Sequence, residues 1–142
     1  MWRRVGLAAV AVVVALFAAF IALAIWQRHV TSNNERKATA AAQASATRFA
    51  GQALTAAKQG PVTTESLRAL NTEPGLGMIL ARQSGTTILV TFEVTETYVE
   101  PGITSDGQVE RCYTETINRQ GNGVTASTAN LDCAQIPVAP AN

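Results

Sequence analysis

Histidine is almost missing from this chain: one in 142 residues, His29, and none after it. That excludes Ser-His and Cys-His nucleophilic pairs from everything beyond position 29. Cysteine is nearly as scarce, with only Cys112 and Cys133. Two thiols without a histidine fall short of the four ligands that a zinc site usually needs, so no metal and no cofactor is expected. There is no G-x-S-x-G, no phosphate-cradling glycine loop and no carboxylate pair set for acid-base work. Glu93 and Glu96 fall on opposite sides of a strand, and the cluster with Glu100 reads as a solvated face. The chain is expected not to be an enzyme.

Charge is sparse too, and the stretch from Val5 to Trp26 (VGLAAVAVVVALFAAFIALAIW) has none and no proline. Twenty-two such residues make a helix of about 33 Å, enough to cross about 30 Å of hydrocarbon, where only a helix can satisfy its own backbone. Trp2 and Trp26 bracket the run at interface depth. Ala22 and Ala24 form an A-x-A pattern that a signal peptidase accepts, but the apolar run continues past it through Ile25 and Trp26. An uncleaved anchor is the expectation.

Arg3 and Arg4 before the span face Arg28, Arg36 and Lys37 after it, so positive charge alone does not orient it. The short tail 1–4 and the two cysteines place the N-terminus inside and the C-terminal head outside. From Gln27 to Gly60 five basic residues stand against Glu35 alone, which suits anionic lipid head groups. From Pro61 onward four arginines stand against nine acids. An acidic head excludes nucleic acid as a partner.

The periodicity then organises the rest. Ser32 to Glu35 has capping-box spacing and predicts a fresh helix start, and Gly60-Pro61 predicts its stop. Between them Ala38, Ala42, Ala46, Phe49, Ala53 and Ala56 recur every three or four residues as one stripe, expected to pack on the head's own sheet. A partner helix is the other candidate for that stripe. A short helix capped by Thr64 is expected at 64–70. Strands are expected at 78–83, 86–99, 109–117 and 124–131, with Ile88, Val90, Phe92, Val94 and Tyr98 on one face and Thr91, Glu93, Thr95 and Thr97 on the other. Ser84-Gly85 and Gln120 to Gly123 are the expected turns.

The resulting expectation is α+β. A transmembrane helix at 5–26 leads to a helical juxtamembrane segment at 27–60, a head of about four antiparallel strands at 61–133, and a flexible tail at 134–142. Cys112 lies in the third strand and Cys133 just past the fourth, so a bulge or bend near residue 130 would let them join. Such a staple suits a head of about 80 residues, whose core alone is marginal.

Cys112-Tyr113 in a strand and a second cysteine, Cys133, near the C-terminus resemble small single-pass membrane proteins of high-GC Gram-positive bacteria. That resemblance implies an extracytoplasmic head. Trp26 to His29 followed by the alanine-rich stretch Ala38 to Ala57 resembles TadE-like proteins of pilus assembly, although no acidic residue stands before or within the membrane segment. The expected role is a membrane-anchored accessory protein of a bacterial cell envelope, with the lipid bilayer and an envelope protein as partners. A small-ligand binding or sensing module and a pilus-like assembly subunit are the alternatives.

Overall fold

A computed structural model describes residues 2–102, 106–121 and 123–136, with side chains described from Ala11 onward. The expected tail beyond Ile136 and the Trp2 anchor therefore lie outside the described side chains. Helix α1 (Trp2–Gln59) leads to α2 (Thr64–Leu70) and to strands β1 (Leu76–Ser84), β2 (Thr87–Val99), β3 (Asp106–Gln120) and β4 (Gly123–Leu131). The strands form one antiparallel sheet in the order β1-β2-β3-β4, a plain meander.

The expected break at Ser32 does not occur, because α1 runs without interruption for 58 residues. Residues 27–37 contain neither glycine nor proline. A capping box contributes about 1 kcal/mol, whereas breaking a helix frees four amides and four carbonyls, so propagation wins over a new start. The first part of α1 has the hydropathy and length of a membrane span, and Val12, Leu16, Phe17, Phe20 and Trp26 are all exposed. The second part is half of the head's core, so the juxtamembrane segment and the head are one unit rather than two.

That core is built as the stripe requires. Ala42, Ala46, Phe49 and Ala53 are buried against Ile88, Val90, Phe92 and Val94 of β2 and Tyr113 and Ile117 of β3, and Ala38 is buried beyond that cluster, toward Tyr98 and Val99. The stripe ends on Ala57 rather than Ala56, which is only partly buried, and it also takes in Ser45 and Ala50. At 3.6 residues per turn the contact line drifts around the helix, so the last turn presents the next residue. Phe49 is fully buried with its ring edge-on to Phe92 at 4.8 Å, and Phe92 stacks on Tyr113 at 5.6 Å. Small alanines bring the helix close, and one phenylalanine fills the gap.

The N-cap of α2 is Thr63, one residue before the expected Thr64: its hydroxyl accepts from the Ser66 amide, and Ser66 returns the bond. Thr64 is free for another task. Its Oγ1 accepts from the Ala81 amide at 2.9 Å and donates to the Ala81 carbonyl, tying α2 to β1. Gly75 turns the chain into β1 at φ +77°, where its carbonyl accepts from Thr95. A side chain there would meet the Thr95 carbonyl oxygen, so glycine is required.

Two contacts hold the head against its stalk. Near the membrane, Asn34 Nδ2 donates to the Val99 carbonyl at 2.9 Å, and Gln27 comes up against Gly102. At the far end Arg119 donates to the Ala57 carbonyl at 2.6 Å and to that of Gly60, satisfying carbonyls that the helix end leaves open. Gly102 thus lies beside Gln27, one residue past the end of the apolar run.

Candidate functional site

The expected disulfide is present: Cys112 and Cys133 are joined, with Cα atoms 5.2 Å apart. Leu131 lies opposite Cys112, and of the expected bulge or bend it is a bend, the turn at Asp132, that brings Cys133 back. The expected fray from Ala134 is corrected as well. Asp132 accepts from the Ala134 amide, Cys133–Gln135 form a single 3-10 turn, and Ile136 is buried. The staple thereby holds this segment on the back of the sheet, where Gln135 lines a groove of about 200 Å³ together with Leu80, Leu89, Thr91 and Thr114. Thr91, expected on a wet face, is accordingly buried. Glu110 lies beside the two sulfurs, but these are bonded to each other, so the group retains one free ligand and is no metal centre.

The ionisable groups fall in three places. Arg48 donates Nε and Nη2 to the two Glu73 oxygens at 2.9 and 2.7 Å, a bidentate pair that lowers the Glu73 pKa and raises that of Arg48. The pair borders an open groove of about 530 Å³ between α1 and the α2–β1 connection, lined also by Gln52, Thr55, Ala56 and Leu70. Gln52 lines that groove, and its buried Oε1 has no hydrogen-bond partner among the described residues. Near the membrane, Tyr98 donates to Glu100 at 3.3 Å; desolvation raises its pKa, aided by the Glu100 and Glu35 charges. On the helix face of the sheet Glu115 is buried and accepts from Thr128, its cross-strand partner. Burial of Tyr113 raises its pKa against the opposing charge of Arg111.

The two long edges of the sheet differ. On β1, Met78 is the extra residue of a bulge, Thr64 occupies the Ala81 backbone and Asn71 Nδ2 donates to the Leu76 carbonyl. On β4, no charge, proline or bulge appears from Gly123 to Leu131, and the strand is exposed along nearly its whole length. Helix α2 packs on β1, and α1 lies over β2 and β3 and, less extensively, over β4. Beside β4, a groove of about 280 Å³ against α1 is lined by Thr39, Gln43, Arg111, Tyr113, Asn130 and Leu131. The sequence reading missed this edge; the uncharged run GVTASTANL was the available signal.

Of the expected residues, the structure joins Cys112 to Cys133 and gathers Ala42, Ala46, Phe49 and Ala53 into the core, with Ala38 buried beyond that cluster. It leaves Ala56 at the margin, on the rim of the Arg48 groove. Comparison with protein-family models, curated proteins and solved structures finds no match to this chain.

Proposed function

We propose that the chain is a membrane-anchored, non-enzymatic protein-interaction module, with its head on the outer side of a bacterial cell membrane. The observation that carries this reading is the single helix that serves both as anchor and as half of the head's core. Such a stalk fixes the head close to the lipid surface and presents its sheet at a set height. The disulfide supports an oxidising compartment. Arg28, Arg36 and Lys37 on the turns just past Trp26 suit anionic head groups.

A reporter active only outside the cytoplasm, fused after Asn142, tests the orientation. It is expected to work, and activity of a cytoplasm-only reporter there would reverse the assignment. The protein is also expected to resist extraction by high salt. A soluble form beginning near Ile25 would instead identify Ala22-Ala24 as a cleavage site.

One observation favours a second reading, a small-ligand module: the unpartnered Oε1 of Gln52, which lines the groove beside Arg48 and Glu73. Ligand titration followed by exchange of the Gln52 side-chain amide separates the two, since a partner protein at the sheet leaves that amide unmoved.

A further inference from the structure

The backbone of β4 offers a complete, unused hydrogen-bonding edge. The Arg119 amide donates across to the Thr86 carbonyl at 2.9 Å, so odd-numbered residues of β3 bond toward β2. Even-numbered ones therefore bond toward β4, where Asn118, Thr116, Thr114 and Cys112 face Thr125, Ser127, Ala129 and Leu131. Alternation then turns the amides and carbonyls of Val124, Ala126, Thr128 and Asn130 outward. Among the described residues nothing bonds to them. Exposed edges are ordinarily blunted by charge, proline, a bulge or a cover: β1 has a bulge at Met78 and side-chain bonds from Thr64 and Asn71 on its backbone, whereas β4 has no charge, proline or bulge, and α1 packs on its face with no bond to its edge among the described residues.

We propose that β4 receives an extended segment of another protein as a fifth strand, with an acidic side chain of that segment lying against Arg111. This deepens the interaction reading above and rests on it. The side chains of Val124, Ala126, Thr128 and Asn130 share the helix face with Tyr113 and Arg111, because each pairs with an odd-numbered β3 residue. An added strand would set its own helix-side chains along the flank of α1, into the groove at Thr39 and Gln43. Arg111 is the one charged residue lining that groove, and among the described residues it has no ion-pair partner. Asp132 accepts from the Ala134 amide through Oδ1 and makes no ion pair with Arg111. A carboxylate is the complementary group.

A second copy is a poor occupant. Arg119 marks the end of the sheet far from the membrane, so β4 runs from there toward the lipid. Two copies in one membrane are related by a two-fold axis along its normal, which sets their β4 strands in the same direction with identical groups opposed. Donor then meets donor. The described end of the chain is a poor occupant as well, since the turn at Cys133–Gln135 lies on the back of the sheet, at the groove that Leu80 also lines.

The test uses the full chain in nanodiscs and two capped nine-residue peptides of alternating valine and threonine, one with a glutamate at the position that would pair with Asn130, the Arg111 end of β4, and one with lysine there instead. The glutamate peptide is expected to slow amide exchange at Val124, Ala126, Thr128 and Asn130 about tenfold or more, and the lysine peptide to bind on the order of tenfold more weakly. Arg111→Glu should reverse that preference, which no merely structural role of Arg111 does. Ala126→Pro removes only an outward amide and should abolish binding while leaving the disulfide and head melting intact; Ala126→Lys serves if the proline variant does not fold. Exchange that neither peptide changes overturns the proposal. So does exchange at these four amides already slow in the protein alone, whether concentration-dependent (a second copy) or not (the chain's own tail). A cytoplasmic head in the reporter assay would overturn the orientation and leave these exchange rates as they are, so the two failures are distinguishable.

Discussion

Phe49→Ala tests the packing on which the head depends. Among the described residues Phe49 is the one large side chain of α1 that is fully buried, and it packs against Phe92. The helix is held at one end by Asn34 on Val99 and at the other by Arg119 on Ala57, so it cannot settle into the space that the ring leaves. Phenylalanine-to-alanine changes in such sites cost about 3–5 kcal/mol, including about 1 kcal/mol for the edge-to-face contact. At about 4 °C or more per kcal/mol in a domain of this size, melting should fall by roughly 12 °C or more. The signal must come from the head, because the apolar first part of α1 packs on nothing in the head and is expected to stay helical. Near-ultraviolet dichroism of Tyr98 and Tyr113, or exchange of the β2 amides, reports it. Phe17→Ala, on an exposed residue of the span, is the control and should leave head melting unchanged. Unaltered melting in Phe49→Ala would refute the packing and point to a partner helix as the natural cover of the stripe.

Cys112→Ser should cost about 3 kcal/mol, the chain-entropy value for a loop of this size, and should release Cys133 to Ile136 from the back of the sheet. Melting with and without reductant, together with exchange at Thr91, measures both effects, and unchanged values in both would show that the staple does not hold that segment. Gly75→Ala places a methyl group on the Thr95 carbonyl at a φ of +77°, and should destabilise the head by about 1–3 kcal/mol in chemical denaturation. The Glu73 pKa is lowered by its hydrogen bond from Arg48, so what the pair contributes is present above the ordinary carboxylate range and is lost as pH falls through the lowered value. Glu73→Gln should flatten that acid limb of the stability curve, while a limb unchanged by the substitution would assign it to other carboxylates.

The strands were legible because their period of two is strong: Ile88, Val90, Phe92 and Val94 alternate with polar residues, and glycines mark the turns on either side. The stripe was legible for the corresponding reason at a period of 3.6. Local signals failed where a neighbour in space outweighed them. Ser32 and Glu35 carry a capping pattern, but the helix arriving from the membrane already supplies the partners that a cap would provide. Thr63 and Thr64 are equivalent as caps in sequence, and only the Ala81 backbone, 17 residues on from Thr64, decides between them. The tail residues Ala134 to Ile136 look unstructured alone and are ordered by a disulfide to a strand they adjoin only in the fold. The open β4 edge was present as an uncharged run, yet which backbone groups face outward follows from the pairing of Arg119 with Thr86.

The unbroken α1 also acts as a shaft with a fixed angular phase. No residue between Trp26 and Asn34 provides a joint, so the compass bearing of the β4 edge is locked to the bearing of Leu16, Phe20 and Leu23 on the apolar part of the helix. A membrane partner that grips one side of the span therefore decides which way the sheet points above it. Inserting a single alanine between His29 and Val30 would turn the head by about 100° and lift it by about 1.5 Å, whereas inserting seven would nearly restore the bearing about 10 Å higher.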